Sequence, residues 1–360
     1  MNDRSIRVQP GAANYYCHSG AIKKIEEFFS KEELESAVYI HGKKSGEAVD
    51  PYLPKSIKDA KHNYLVSGHC SHEIVDLISS ESKDAPVIIG AGGGTVLDIA
   101  KAVAAELNRP FVSIATIAAT CAAWTPLSVW YTEEGAAINY EIFRQGAFLV
   151  VVEPQIILEA PERYLQAGVA DTIAKYYEAD VLTQGVEDLP LTASLGLSVS
   201  KQIGDVLLNE GASAFEAMKE KNINHSFLNV IDAIVAGGGL VGGLGERYTR
   251  VAAAHAMHNG LSQLESSKHV LHGLKVAYGI LVQTALLGDK IELKKLYDKF
   301  LILELPTKLS DIGVDASNRD DLNKVIDAAI APKETMSLLP FAVDNALLYE
   351  AIETVENLSK

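Results

Sequence analysis

Short apolar runs, each closed by glycine, proline or polar residues, recur through about the first 150 residues: AVYIHG (37–42), HNYLVSG (62–68), PVIIGAG (86–92), FVSIAT (111–116) and FLVVVEP (148–154). Runs of this length with such boundaries predict strands buried on both faces. Around them, SGAIKKIEEFFSKEELES (19–36) and HEIVDLISSES (72–82) space their apolar residues at helical intervals. Strand and helix in alternation predict an α/β fold, a parallel sheet covered on both faces. Beyond Pro154 the pattern changes. APERYLQAGVADTIAKYYEADVL, TASLGLSVSKQIGDVLL and FLNVIDAIVAGGGLVGG mix apolar and polar residues at helical period, and strand-like runs stop. The expected division is therefore an α/β domain over 1–160 and an all-α domain over 161–360, with no internal repeat and no long linker.

Composition supports this division. A chain of 360 residues is long for one hydrophobic core, and 48% hydrophobic with 22% charged residues is ordinary for a globular protein. A net charge of −15 and a pI near 5.1 exclude nucleic acid as the expected partner. No apolar run approaches the ~18 residues of a membrane helix, and the start, MNDRSIRVQPGAANYY, has no signal-peptide pattern. Cys17, Cys70 and Cys121 show neither pairing nor metal-site spacing, which suits a reducing cytoplasm.

Two places carry candidate chemistry. In GAGGGTVLDIAKAVA (90–104) a strand runs into Gly92, Gly93 and Gly94 and then into a helix. Bare backbone amides at a helix N-terminus form an anion site, because no side chain blocks a phosphate and the helix dipole favours negative charge. The run matches neither the GxGxxG fingerprint nor the P-loop. A tight turn without a ligand is the alternative, with Asp98 and Lys101 on a solvated helix face. The second place is AAAHAMHNGLSQLESSKHVLHGLKVAYG, where His255 and His258 fall one turn apart on one helix face and His272 follows. Asp171, with Lys175 one turn on, lies in GVADTIAKYYEA. Imidazoles and a carboxylate suit zinc or a similar divalent ion, with a position left open for substrate. Satisfied core histidines are the alternative, and spacing alone does not tie Asp171 to them.

Together these segments resemble the iron-containing alcohol dehydrogenase superfamily, in its glycerol dehydrogenase branch. The motifs are GGGTVLDIAK, TIAATCAAWTPLSVWYTEEG, GVADTIAKYYEA, AAAHAMHNGL and HGLKVAYGILVQ; TIAATCAAWTPLSVWY and VGGLGERYTRVAAAHA resemble the bacterial hydroxycarboxylate dehydrogenases, which reduce 2-oxo acids. The resemblance implies a Rossmann-like N-terminal domain, a helical C-terminal domain and a metal in the cleft between them. It puts the metal on Asp171, His255 and His272, and the dinucleotide pyrophosphate on Gly92, Gly93, Gly94 and Thr95 with Asp98 near the nicotinamide. Thr116, Ala119, Thr125, Leu127 and Tyr131 match positions lining the cofactor. A homo-oligomer acting on a small molecule is the expected assembly.

Three departures from the glycerol branch shape the expected activity. Cys121 stands where glycerol dehydrogenases carry an aspartate that accepts from glycerol hydroxyls. GERYTR places Arg247 and Arg250 ahead of the first metal histidine, where that branch is neutral or acidic; both changes favour an anionic substrate, unless the arginines pair with Glu246 or another surface acid. After the strand AVYIHG come Gly42, Lys43, Lys44 and Ser45, with no acid before Glu47 to bind a ribose 2′-hydroxyl. The two lysines and the hydroxyl suit a 2′-phosphate, so NADP(H) is favoured over NAD(H). Lys175 stands where the iron-dependent branch has a fourth ligand, which favours zinc; it and His258 are candidates to relay a proton. The expected reaction is metal-assisted reduction of a 2-oxo acid by NADPH. A NAD-dependent glycerol or polyol dehydrogenase is the alternative. A dehydroquinate synthase-like lyase is more remote, since its second glycine pair is replaced here by DIAKAVA.

Overall fold

A computed structural model describes residues 5–133 and 135–358; residues 1–4, part of the N-terminal stretch read above for a leader, lie outside it. The chain forms two compact units. The first comprises Gln9–Pro161 together with Ala217–Gly239, and the second Glu162–Glu216, Leu240 onward and a short stretch ending at Val8. The return of Ala217–Gly239 to the first unit is an excursion that a contiguous division at 160/161 does not contain.

The first unit opens with β1 (Asn14–Cys17), a 3-10 turn and the short helices α1 (Ile25–Phe28) and α2 (Lys31–Glu35). The helical stretch expected over 19–36 is thus broken, because Ser30 takes extended backbone and starts a new helix through a reciprocal capping box with Glu33. There follow β2 (Val38–His41), α3 (Lys43–Val49), α4 (Lys55–Lys58), β3 (His62–Leu65), α5 (His72–Glu81), β4 (Ile88–Gly92), α6 (Gly94–Leu107) and β5 (Phe111–Ala115). A hairpin of β6 (Leu127–Tyr131) and β7 (Ala137–Ile142) precedes β8 (Leu149–Val152) and α7 (Pro154–Glu159).

Six strands form one sheet in the order β1-β8-β5-β4-β2-β3, every neighbouring pair parallel. Burial on both faces explains the unbroken apolar runs: Ile88, Ile89, Val112, Ile114 and Leu149 to Val152 are all fully buried. Gly90 lets α6 press on β4, since a Cβ there would lie 2.6 Å from the Cβ of Ala100. From β2 the chain moves outward to β3, whereas from β4 it moves the other way to β5. The carboxyl ends of β2 and β4 therefore flank a topological switch point, the place where open α/β sheets bind ligands.

The second unit contains no strand among the described residues. Its elements are α8 (Glu162–Thr183), most of α9 (Leu191–Glu220), most of α11 (Gly238–Gly245), α12 (Ala253–Leu261), α13 (His272–Leu286), α14 (Lys290–Ile302), α15 (Arg319–Ala329) and α16 (Asn345–Glu356). The helix α10 (His225–Asp232) and a π turn (Ala233–Gly237) lie in the returning segment, where Phe227, Val230, Ile231, Ile234 and Val235 are buried. There Tyr15 donates to Asp232 Oδ1 at 2.7 Å, and Trp124 packs so closely on Gly239 that a Cβ would lie 2.2 Å from its ring. The continuous helical run His225–Tyr248 does have the length and hydropathy of a membrane span, contrary to the expectation that no such run exists; Asp232 and the glycines disguise it in the sequence. More than half of it is buried inside the protein, as in the core helix of a globular fold.

Candidate active site

Three helices of the second unit converge because glycine lets their backbones touch. Gly273, the residue after His272, faces α8 so closely that a Cβ would lie 1.9 Å from the Ala167 carbonyl oxygen. Gly279, further along α13, stands in the same way 2.3 Å from the Ala254 carbonyl of α12. This contact brings together Asp171 from α8, His255 from α12 and His272 from α13, whose ligand atoms all lie within 4.8 Å of one another. Asp171 Oδ1 is 3.1 Å from His272 Nε2 and 3.5 Å from His255 Nε2. The residues expected as metal ligands are therefore together.

The far side of each ring is also held. His255 Nδ1 donates to Glu178 Oε2 at 2.7 Å, while Glu178 Oε1 accepts from the backbone amides of Ala252 at 2.7 Å and His255 at 3.0 Å. Glu178 is fully buried, so these three donors are what make its charge tolerable. His272 Nδ1 is 3.0 Å from His258 Nε2. The rings of His255 and His272 thus turn Nε2 inward to Asp171 and Nδ1 to a partner, and an outer partner of this kind fixes tautomer and orientation where histidines bind a metal.

Electrostatics follow from this packing. Burial alone would lower the His255 pKa, but the carboxylates of Glu178 and Asp171 outweigh it and raise it to about 9. Burial opposes charge on Asp171 as well, yet His255, His272 and the half-buried Lys175 one turn away hold its carboxyl well below the usual range. For His258, burial and then the neighbouring His272 and Lys275 act together and push the pKa well down, keeping the ring neutral. Glu178 is the residue that spacing could have flagged, since it lies two turns after Asp171 on the same face of α8.

The two arginines differ. Arg247 is exposed, donates to the Ser5 carbonyl at 2.8 Å, reaches Glu246 Oε2 at 3.4 Å and lies over the Tyr248 ring. This is the surface pairing considered above as the alternative to substrate binding. Arg250 is half-buried, and its Nε is buried with no hydrogen-bond partner among the described residues. The 3-10 turn that carries Arg247 begins at Glu246, whose left-handed backbone (φ 49°) is costly for a residue with a Cβ.

In the first unit, Gly93 caps α6 with no side-chain hydrogen bond, leaving first-turn amides for an anion; Gly94 is half-buried and Thr95 is exposed. Asp98 and Lys101 do not form a solvated face: both are buried and pair at 2.7 Å. Asp98 Oδ2 also accepts from the Val129 amide at 3.1 Å, and Lys101 donates to the carbonyls of Ala122, Thr125 and Leu127. The pair thus locks α6 to β6 and to the loop before it. That loop carries Ala119, Cys121 and Thr125; the Cys121 carbonyl accepts from the amides of Trp124 and Thr125. Buried Thr116 donates its amide to the Gly92 carbonyl at 3.2 Å, and Leu127 and Tyr131 share one half-buried face of β6. Past the end of β2, Gly42 caps α3, and Lys43 and Lys44 are exposed in its first turn. Ser45 corrects the expectation for its hydroxyl, which bonds internally to the Ala91 carbonyl at 2.8 Å.

Known proteins give this arrangement a family. Over 360 residues the chain is 48% identical to hydroxycarboxylate dehydrogenase A of Escherichia coli (strain K12), covering 99% of each chain. The protein belongs to the iron-containing alcohol dehydrogenase family. The model of that family matches residues 12–154. A second relative, glycerol dehydrogenase of Thermotoga maritima, is 31% identical over 96% of each chain. The fold matches glycerol dehydrogenase from Schizosaccharomyces pombe at a TM-score of 0.87 and 25% identity, covering 99% of this chain and 91% of the other. As an iron-containing alcohol dehydrogenase family member, the protein is an oxidoreductase.

Proposed function

We propose that the protein reduces small 2-oxo acids to 2-hydroxy acids with NADPH and one divalent ion, zinc being the metal that suits its ligands. The observation that carries this reading is the convergence of Asp171, His255 and His272, a carboxylate and two imidazoles whose outer nitrogens are already engaged. Such a donor set fits a zinc-like ion with one position open. When bound, the ion supplies Lewis acidity toward a carbonyl oxygen, and the reduced nicotinamide supplies the hydride. The chain's own residues do the rest. Arg250, in the same unit and five residues before His255, offers a buried Nε without a partner to the substrate carboxylate. Lys175 carries the proton that completes the hydroxyl. The uncapped turn Gly93 to Thr95 holds the pyrophosphate, and Lys43 and Lys44 hold the 2′-phosphate. The relative named hydroxycarboxylate dehydrogenase A supports the substrate class, and three unpaired thiols suit the cytoplasm.

The test is a set of specificity constants for 2-oxobutyrate, an uncharged ketone analogue and glycerol, with both cofactors. Wild-type protein should favour the 2-oxo acid and NADPH. Arg250→Ala should weaken binding of the 2-oxo acid by roughly 1.5–3 kcal/mol, the range for a hydrogen bond between charged groups, and leave the ketone little changed. Arg247→Ala should resemble wild type. Efficient turnover of glycerol with poor turnover of 2-oxo acids would establish the polyol reading instead. Neutral replacements of Lys43 and Lys44 should raise KM for NADPH far more than for NADH.

A further inference from the structure

Between α15 and α16 the chain makes a 3-10 turn (Thr335–Leu338) with Glu334 as its N-cap. Neither Glu334 nor Thr335 belongs to the cluster of Asp171, His255 and His272, yet each begins a hydrogen-bond chain that ends on one of its histidines. Thr335 Oγ1 donates to the Ala252 carbonyl at 2.6 Å. Ala252 is the N-cap of α12, and its amide donates to the Glu178 oxygen that also accepts from the His255 amide. On the other branch, Glu334 Oε2 accepts from Asn259 Nδ2 at 2.8 Å, and Asn259 Oδ1 is 3.0 Å from His258 Nδ1. His258 Nε2 then meets His272 Nδ1 at 3.0 Å.

The second branch has a single polarity. A carboxylate only accepts, so Asn259 must turn its amino group to Glu334 and its oxygen to His258. That oxygen also only accepts, so His258 carries its proton on Nδ1 and leaves Nε2 as a lone pair. His272 must then donate from Nδ1, which frees its Nε2 to face Asp171 at 3.1 Å. Ser262, the other neighbour of His258 Nε2, directs its proton to the His258 carbonyl at 2.8 Å and receives one from Lys275 at 2.7 Å, so it does not reverse the chain.

We propose that Glu334 and Thr335 are positioning residues for the metal site: Glu334 sets the tautomer of His272 through Asn259 and His258, and Thr335 anchors the end of α12 that carries His255. His258 is on this account a link in the chain rather than a proton donor to substrate. The inference rests on the metal assignment made above. Its test is zinc affinity of the full-length protein, stripped of metal and titrated in competition with a chromogenic chelator, with thermal melting of each metal-free variant as the control for folding. Glu334→Ala and Thr335→Val should each bind zinc about 10–100-fold more weakly, the usual effect of removing an outer partner of a ligand. Glu334→Gln, which can still accept from Asn259, and Thr335→Ser, which keeps the hydroxyl, should recover most of that loss. Unchanged zinc affinity in folded Glu334→Ala and Thr335→Val, beside a wild type that binds one zinc, overturns this inference alone. So does a lowered melting temperature with no change in affinity. A wild type that binds no divalent ion overturns the metal assignment as well. If Glu334→Ala does not fold, Thr335→Val against Thr335→Ser decides for Thr335 and Glu334→Gln against wild type for Glu334: a loss beyond tenfold in the glutamine variant overturns the tautomer chain.

Discussion

Glu178 is fully buried, and its hydrogen bond fixes the ring of His255, one of the proposed metal ligands. Replacing it with glutamine keeps the size and the oxygen that accepts from Ala252 and His255, and turns an amino group toward His255 Nδ1. The ring must then accept there, and its proton moves to the nitrogen needed for the metal. Zinc affinity of Glu178→Gln should fall about 10–100-fold with the fold intact, measured by chelator competition. The raised pKa of His255, about 9, makes a second prediction. Below that pH the metal-free ring holds a proton that an incoming ion must displace, so zinc affinity should climb about tenfold per pH unit up to pH 9. In the metal-free protein the same elevation contributes stability that is full below the ordinary imidazole value of 6.5 and is lost as pH rises through about 9; melting at pH 6 and pH 9.5 checks it. How much of the site could be read in advance divides along the same lines. His255 and His258 declare themselves by spacing within one helix, but nothing local ties Asp171 to residues more than eighty positions away, and only likeness to a family joined them. Arg250 is visible in the sequence only as a charge, whereas its unpartnered Nε is a property of packing alone.

At the level of elements, close backbone contact decides where Asp171, His255 and His272 meet. A methyl group on Gly279 would press on the Ala254 carbonyl at 2.3 Å, with backbone on both sides and no flexible side chain to give way. Gly279→Ala should therefore destabilise the protein by about 1–3 kcal/mol despite the better helix propensity of alanine, and should weaken zinc binding as α12 and α13 separate. A melting temperature and zinc affinity equal to wild type would refute this. The same physics explains which elements the sequence shows. The runs of β2, β4, β5 and β8 are legible because strands buried on both faces need continuous apolar residues, whereas β3, read as buried on both faces, lies at the sheet edge and is half-exposed, with Leu65 open to solvent. The sixth, β1, is half-buried throughout and reads NYYC, with little to mark it. In the hairpin, β7 is exposed along almost its whole length and so has no buried face to impose a pattern, and β6, which does alternate, was absorbed into a longer motif. The helical half is plain from its period; in the α/β half, Ser30 splits the helical stretch expected over 19–36 by capping a new helix.

On the scale of the whole molecule, the chain changes unit at Val8/Gln9, Pro161/Glu162, Glu216/Ala217 and Gly239/Leu240. The returning segment supplies Phe227, Val230, Ile231 and Ile234 to a buried core, and its Lys221 donates to the Leu158 carbonyl at 2.9 Å. A fragment ending at Pro161 should lack a cooperative melt and bind a dye for exposed apolar surface, while the same fragment with residues 217–239 joined by a flexible linker should recover both properties. A sharp transition in the shorter fragment would show the segment to be dispensable. That threading also bears on descent. A single genetic exchange near codon 161 between two divergent relatives would marry one parent's sheet to the other parent's covering segment, setting Trp124 against a foreign residue 239 and Tyr15 against a foreign residue 232. The α/β unit can change owners intact only when two further breakpoints bracket 217–239.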